Sequence, residues 1–72
     1  MKLENERQAA RLLATLRRRA SIPQAALAKL LQISVSTLRR RERTAIGLHT
    51  GDLIATAHHL GYDVILARRE QP

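Results

Sequence analysis

The stretch that most constrains this chain runs from residue 24 to residue 42, QAALAKLLQISVSTLRRRE. It predicts two short helices joined by a tight turn, because apolar residues recur at helical spacing on either side of a polar break. These apolar residues are Leu27, Ala28, Leu31, Ile33 and Leu38. Ala28 lies where the two helices would cross most closely, so a small side chain is required there. Ser34 can cap the second helix by accepting a hydrogen bond from the N–H of Ser36 or Thr37.

The second helix of this pair is short, polar and rich in arginine. A compact helix pair of this kind can place its second helix in the major groove of DNA. Val35 and Ser36 would enter the groove first, where valine can pack on a thymine methyl and serine can bond a base edge or a phosphate. Successive helical residues point about 100° apart, so Arg39, Arg40 and Arg41 cannot all face the groove.

Charge and composition favour a polyanionic partner. The 72 residues include 13 lysine and arginine residues against 6 acidic ones, a formal net charge of +7. This excess favours nucleic acid first and an anionic membrane surface second, the alternative being a solvated protein with arginine-rich helix faces. Phenylalanine and tryptophan are absent, which disfavours a membrane-surface helix and single-strand binding by base stacking. Cysteine is also absent, so we expect a cytoplasmic protein, located on the nucleoid through DNA binding.

Hydrophobic periodicity predicts four helices in one domain over residues 1–72, at about 4–19, 24–31, 35–43 and 51–60. Their inward stripes are expected at Ala9, Leu12, Leu13 and Leu16 in the first helix and at Leu53, Ile54, Ala57 and Leu60 in the fourth. Gly61 is expected to end the fourth helix in a left-handed cap. Arg17, Arg18 and Arg19 either complement the macrodipole at the end of the first helix or contact DNA.

Beyond the fourth helix the pattern changes. Residues 62–68 are rich in β-forming residues and predict a single strand. A lone strand has no partner within the chain, and an exposed edge of this kind is an aggregation hazard. We therefore expect it to pair with the same strand of a second copy about a two-fold axis. The expected dimer interface consists of Tyr62, Val64, Ile65 and Leu66.

The residues of the central stretch also match a known family pattern. The matching positions are Gln24, Leu27, Ala28, Leu31, Ile33, Ser34, Ser36, Thr37, Leu38, Glu42, Ala57, Leu60 and Gly61. On these residues the chain resembles the Cro/CI-type (XRE-like) helix-turn-helix family, the DNA-binding module of phage repressors and many small bacterial regulators. The resemblance covers roughly residues 10–61 without an insertion. It implies an all-α, lambda-repressor-like domain of four helices, to which the predicted C-terminal strand is added.

The resemblance also implies roles for particular residues. Arg17 matches the family's arginine that pairs with the glutamate ending the recognition helix, here Glu42, which would make this ion pair structural. Gln24 matches a glutamine that lies on the DNA backbone or beside a base-reading residue, a solvated glutamine at a helix start being the alternative. Arg40 lies one turn beyond Ser36 and is the expected base reader, bidentate to guanine.

Other residues complete the expected DNA surface. Arg39 and Arg43 are expected to reach flanking phosphates, and Thr37 to contact a phosphate or cap the turn. The base-reading set is thus Val35, Ser36 and Arg40, and the backbone-contacting set is Gln24, Ser34, Thr37, Arg39 and Arg43. Arg41 is expected to lie over the fourth helix, its stem covering apolar surface.

Three positions depart from the family pattern. Gln32 stands where the family usually has glycine in the turn, a position that favours positive φ, and a non-glycine residue there costs on the order of 1 kcal/mol. Arg41 stands where the family usually has an apolar or aromatic residue, and Thr44 where it usually has glycine. The turn is therefore expected to be slightly re-angled.

The sequence predicts neither a metal site nor a catalytic site. His58 and His59 are adjacent and point about 100° apart on a helix, and no cysteine or second histidine follows at the spacing that a zinc site uses. No nucleophile has a base at a recognisable spacing. We expect no enzymatic activity, no cofactor, no small-molecule substrate and no membrane association.

These features predict a sequence-specific regulator of transcription that binds double-stranded DNA, most simply a repressor on an inverted-repeat operator, acting as a homodimer. The rival interpretation is an antitoxin, which would hold a toxin protein and bind DNA to regulate its own operon. A strand after four helices recurs in antitoxins of this family, whereas the long disordered tail that many of them wrap around a toxin is not evident in this sequence.

Overall fold

The computed structural model describes residues 5–65 and residue 68. This part of the chain contains four α-helices: α1 (Glu6–Arg19), α2 (Gln24–Leu31), α3 (Val35–Thr44) and α4 (Thr50–His59). Helices α1 and α2 each pack against both α3 and α4, so α3 is held by two neighbours. None of the helices described is long and apolar enough to cross a membrane.

Side-chain caps fix where α1 and α3 begin. Asn5 Oδ1 accepts a hydrogen bond from the N–H of Gln8 at 2.9 Å, which satisfies one of the free donors of the first turn. Helix α1 therefore begins at Glu6 and not at residue 4 as predicted, residue 4 itself lying outside the described residues. Ser34 Oγ accepts from the N–H of Thr37 at 3.1 Å and caps α3 in the predicted way.

Helix α3 ends one residue later than predicted, and helix α4 begins one residue earlier. Helix α3 extends through Thr44, and α4 begins at Thr50, where Asp52 Oδ2 accepts from the backbone N–H of His49 at 3.2 Å. A carboxylate in the first turn also suits the positive end of the helix dipole. After α4, Gly61 adopts the predicted left-handed conformation, with φ 90°.

Three other helix ends use a non-glycine residue in the left-handed region. These residues are Ser21, Gln32 and Ala45, with φ of 57°, 59° and 63°. In the turn after α2, the N–H of Ile33 donates to the carbonyl oxygen of Ala28 at 3.0 Å, as in a Schellman motif. Gln32 therefore occupies the conformation expected of the turn glycine, with the strain that a Cβ brings.

The core is built mainly from alanine. The buried apolar residues are Ala9, Ala10, Leu13, Ala14, Leu27, Ala28, Leu38 and Ala57. Half-buried side chains pack against the central cluster of Leu27, Ala28 and Leu38, and these are Ile22, Leu31, Ile33, Val35 and Leu60. Small side chains let the helices approach closely, but each removes little apolar surface from water. The core is therefore thin, and Ala28, 1 % exposed, is at its centre.

The buried face of α1 is rotated relative to the predicted stripe. Leu12 and Leu16 are only half-buried, whereas Ala10, Ala14 and Arg17 are buried. This face meets α3, the helix with which α1 packs most extensively. The two alanines permit the close approach, and Arg17 faces a carboxylate on α3. Hydrophobic periodicity could not show this because it treats arginine as an outward residue.

Helix α4 is rotated in a similar way. Ile54, predicted to face inward, is 49 % exposed, while Thr56 is buried. The hydroxyl of Thr56 donates to the carbonyl oxygen of Asp52 at 2.7 Å, so its burial leaves no unsatisfied donor. Because α4 is rotated in this way, Ile54 lies on the outer surface of the domain.

The predicted strand does not form in the part of residues 62–68 that the structure describes. Residues 62–65 and residue 68 belong to no strand, and Leu66 lies outside the described residues. A strand is defined by hydrogen bonds to a neighbouring strand, and the described part of this single chain offers none. The three described residues of the predicted dimer interface, Tyr62, Val64 and Ile65, are exposed, and the single chain gives no support for their pairing.

We expect Gln32→Gly to stabilise the protein by about 1 kcal/mol, because glycine adopts positive φ without the steric cost that a Cβ incurs. Urea denaturation should show a higher midpoint with an unchanged slope. Gln32→Ala is the matched control, since alanine retains the Cβ and should not be stabilising. Equal stability of the two variants would mean that the left-handed backbone at this turn is not strained.

Candidate nucleic-acid interface

The outward face of α3 carries three arginines and a serine. By helical geometry Arg39, Arg43, Ser36 and Arg40 fall within an arc of about 100°, and all four are exposed. They lie opposite Leu38, which is buried in the central cluster. The structure thus places the predicted base readers Ser36 and Arg40 on one surface with the predicted phosphate contacts Arg39 and Arg43.

Val35, the third predicted base reader, is placed differently. It is half-buried and packs against the cluster of Leu27, Ala28 and Leu38. Part of its side chain is therefore occupied inside the protein, and only the remaining surface is accessible. The first residue of α3 follows the turn directly, and this position lets a β-branched side chain cover the junction of α2 and α3.

Three hydroxyl groups cluster at the start of α3. Ser34 Oγ donates to Thr37 Oγ1 at 2.8 Å and lies 3.1 Å from Ser36 Oγ. A hydroxyl has one proton to give, and that of Ser34 is directed at Thr37. The proton of Thr37 is then available to a phosphate oxygen at the helix N-terminus, where N–H groups and the dipole also favour an anion.

Glu42 connects α3 to α1 through a bidentate ion pair. Arg17 Nε donates to Glu42 Oε2 at 2.7 Å, and Arg17 Nη2 donates to Oε1 at 3.1 Å. Arg17 Nη1 also donates to the carbonyl oxygen of Ile22 at 2.9 Å. The two charged side chains are only 10 % and 11 % exposed. At this burial each charge depends on its partner, because neither is adequately solvated alone.

Gln24 brings α2 into the same network. Gln24 Nε2 donates to Glu42 Oε1 at 2.9 Å. A carboxylate can only accept hydrogen bonds, so the amide nitrogen must face Glu42 and the amide oxygen must point away. That oxygen lies 3.5 Å from Arg39 Nε, which donates to it. Gln24, predicted to contact the DNA backbone, is thus also a link between Glu42 and the exposed face of α3.

Arg41 lies over α4, where the sequence placed it, and has a partner that the sequence analysis missed. Arg41 Nη2 is 3.5 Å from Asp52 Oδ1, while Arg41 Nε is buried and has no hydrogen-bond partner among the described residues. The same carboxylate caps α4 through His49. Asp52, as an acidic residue in the first turn of α4, could have suggested this ion pair. Its distance from Arg41, however, depends on the loop between α3 and α4, which the sequence does not specify.

The histidines form no recognisable site. The rings of His58 and His59 meet edge to face, with centroids 6.2 Å apart. Among the described residues, no three His, Cys, Asp or Glu side chains are grouped so as to hold a metal ion.

A family model described as a helix-turn-helix domain matches residues 8–69 of the chain. The protein belongs to this helix-turn-helix domain family, which is of the XRE/Cro-like type. This match confirms the resemblance carried by the central stretch. The search of curated proteins gave no match. Membership indicates a DNA-binding regulator, and DNA-binding domains of this kind are typically not enzymes.

We expect Glu42→Ala to destabilise the protein by about 3–5 kcal/mol, because the Arg17 guanidinium would be left buried without its anion. Thermal melts and urea denaturation measure this loss, which in so small a domain can abolish folding. Arg19→Ala removes an exposed arginine two residues from Arg17 and should change stability by no more than about 0.5 kcal/mol. A melt of Glu42→Ala that overlays the parent would contradict a structural role for the pair.

Proposed function

We propose that the protein is a sequence-specific transcriptional repressor that binds an inverted-repeat operator in double-stranded DNA as a homodimer. The observation that carries this proposal is the exposed face of α3, on which Ser36, Arg39, Arg40 and Arg43 lie together. Helix α3 is the second helix of the α2–α3 pair, the position that enters the major groove in helix-turn-helix proteins.

The hydrogen-bond network around Glu42 indicates that the DNA-binding surface is preorganised. It ties α3 to α1 through Arg17 and to α2 through Gln24. Binding a preformed surface avoids the entropy cost of ordering helices at the moment of association. The exposed arginines project from this preformed surface, and they are the groups that must adapt to bases and phosphates.

Within this surface we assign base reading to Ser36 and Arg40, with the accessible part of Val35 beside them. A guanidinium can bond guanine O6 and N7 together, and a serine hydroxyl can bond several base edges. Arg39, Arg43 and Thr37 are assigned to phosphates, which fix the register of the helix without reading sequence. Gln24 and Ser34 contribute at the same rim, through the second amide proton of Gln24 and the backbone around the Ser34 cap.

The homodimer is supported by an exposed apolar surface beside α4. A groove there is lined by Gly51, Ile54, Ala55, His58, His59, Tyr62, Asp63 and Val64, and Ile65 beside it is 80 % exposed. A second copy would cover this surface with its own equivalent, as a two-fold interface requires. Such a two-fold axis can set two α3 helices about 34 Å apart, one turn of DNA.

The same surface favours one second candidate, an antitoxin that covers it with a toxin protein. The two candidates differ in what the isolated chain does. A repressor of the proposed kind is a dimer on its own, whereas an antitoxin of this kind forms a stable complex with the product of a neighbouring gene that is toxic when expressed alone.

Arg40→Ala should weaken binding to the preferred site by about 1–3 kcal/mol and relax specificity, because a base contact is lost. Arg43→Ala should weaken preferred and random DNA about equally and flatten the salt dependence, as expected for a phosphate contact. Titration of both duplexes at several salt concentrations measures the two effects. An unchanged ratio of specific to random affinity in Arg40→Ala would show that α3 docks differently.

Selection of bound fragments from random DNA should yield an inverted repeat whose half-sites are about one helical turn apart. Ile65→Lys places a charge in the proposed dimer surface, so it should give a monomer by light scattering and select single half-sites. Ile46→Lys is the matched control, because Ile46 is an exposed isoleucine in the loop between α3 and α4. A parent protein that is monomeric yet binds a single half-site tightly would overturn the dimer.

A further inference from the structure

Helix α1 carries a second group of arginines. They lie outside the exposed face of α3, which is the proposed DNA-recognition surface. Arg7, Arg11 and Arg18 fall within an arc of about 40° and span about 16 Å along the helix. All three are exposed. We call these three residues the arginine stripe.

The arginine stripe has no carboxylate partner among the described residues. The ion pairs in that part of the chain are Arg17–Glu42 and Arg41–Asp52. Arg18 Nη2 makes a long contact of 3.4 Å with Thr15 Oγ1, which neutralises no charge. The described structure thus presents three full positive charges to solvent along one side of α1.

Helix stability does not account for the stripe. Arg7 is in the first turn of α1, where the helix dipole disfavours a cation. Arg7 and Arg11 are also four residues apart, a spacing at which like charges repel. The dipole favours Arg18 at the other end of the helix, but it leaves the two N-terminal arginines unexplained.

The stripe also faces to the side of the direction in which α1 meets α3. Arg17, on the same helix, is directed at Glu42 of α3. The arginine stripe is turned from Arg17 by roughly 100° about the helix axis. DNA that lies against the exposed face of α3 therefore does not automatically cover the stripe.

The chemistry of this surface fits phosphate better than protein or lipid. The large apolar side chains exposed in the described residues are Leu30, Ile46, Ile54, Tyr62, Val64 and Ile65. None of them is on α1, so the stripe lacks the apolar anchors of a protein interface. A membrane-surface helix likewise needs an accessible apolar face, whereas the apolar face of α1 is packed against α3 and α4.

We propose that the arginine stripe holds a second segment of double-stranded DNA through its phosphates while α3 holds the first. The proposal rests on the DNA-binding function proposed above. The second segment is either the flank of the same duplex, reached by bending, or a separate duplex, which the protein would then bridge. Guanidinium groups suit both, because they bond phosphate oxygens in pairs without reading sequence.

The test compares two variants that each lose three charges. The stripe variant carries Arg7→Gln, Arg11→Gln and Arg18→Gln, and the control carries Arg39→Gln, Arg40→Gln and Arg43→Gln on α3. Glutamine has nearly the helix propensity of arginine, and circular dichroism melts verify that both variants fold. Each protein is bound to an immobilised random-sequence duplex and then offered a second, labelled duplex. Affinity for a long and a short single duplex is measured in parallel at several salt concentrations.

If the protein bridges two duplexes, the stripe variant should capture about tenfold less of the second duplex while still binding the first, since its phosphate contacts are lost. If the stripe holds flanking DNA, the slope of log affinity against log salt should fall by about 2 to 3 on the long duplex and not on the short one. The α3 control should lose binding to the first duplex in both cases.

If the stripe variant captures the second duplex as the parent does and shows the same salt slopes, while the α3 control loses DNA binding, the stripe proposal alone is overturned. Failure of the parent to bind any duplex would overturn the proposed function together with the stripe. A further outcome concerns lipid. If the parent binds vesicles of anionic lipid, and the stripe variant loses this binding while its DNA binding is unchanged, the stripe would be assigned to a membrane surface and the proposal overturned.

Discussion

The carboxylate of Glu42 is the point at which the first three helices are joined. It accepts two hydrogen bonds from Arg17 of α1 and one from Gln24 of α2, at distances of 2.7, 3.1 and 2.9 Å. Loss of either partner alone would destabilise the fold, because a buried guanidinium and a buried carboxylate are each costly unless the other is present. The position of the exposed face of α3 therefore depends on this polar interaction as well as on hydrophobic packing.

This dependence follows from the composition of the core. Most of the fully buried apolar side chains are alanines, which permit close helix packing but contribute little free energy each. Helix caps and ion pairs consequently carry a larger share of the stability than in a domain with a large aromatic core. The left-handed residues Ser21, Gln32 and Ala45 act in the opposite direction, since a Cβ in this backbone region costs free energy that the surrounding structure must offset.

The tertiary structure also places the arginines in different surroundings. Of the eleven arginines in the sequence, Arg17 is buried against Glu42 and Arg41 is directed towards Asp52. Arg39, Arg40 and Arg43 form the exposed face of α3, and Arg7, Arg11 and Arg18 form the stripe on α1. The net charge alone indicates a polyanionic partner, but it does not distinguish a structural arginine from one that is available to bind.

The amino-acid sequence by itself determined the four helices and the Ser34 cap, because these features depend on local spacing and on neighbouring residues. The left-handed conformation at Gln32 was implied by the resemblance to the helix-turn-helix family. The helix-turn-helix family could be recognised in the same stretch. Tertiary structure decided which way each helix faces: Arg17 and Thr56 are buried while Ile54 is exposed. A polar side chain can be buried once a partner satisfies it, and the partner of Arg17, Glu42, is distant in sequence. It also decided that residues 62–65 form no strand in the single chain, because a strand requires a neighbouring strand and cannot be specified by β-forming residues alone.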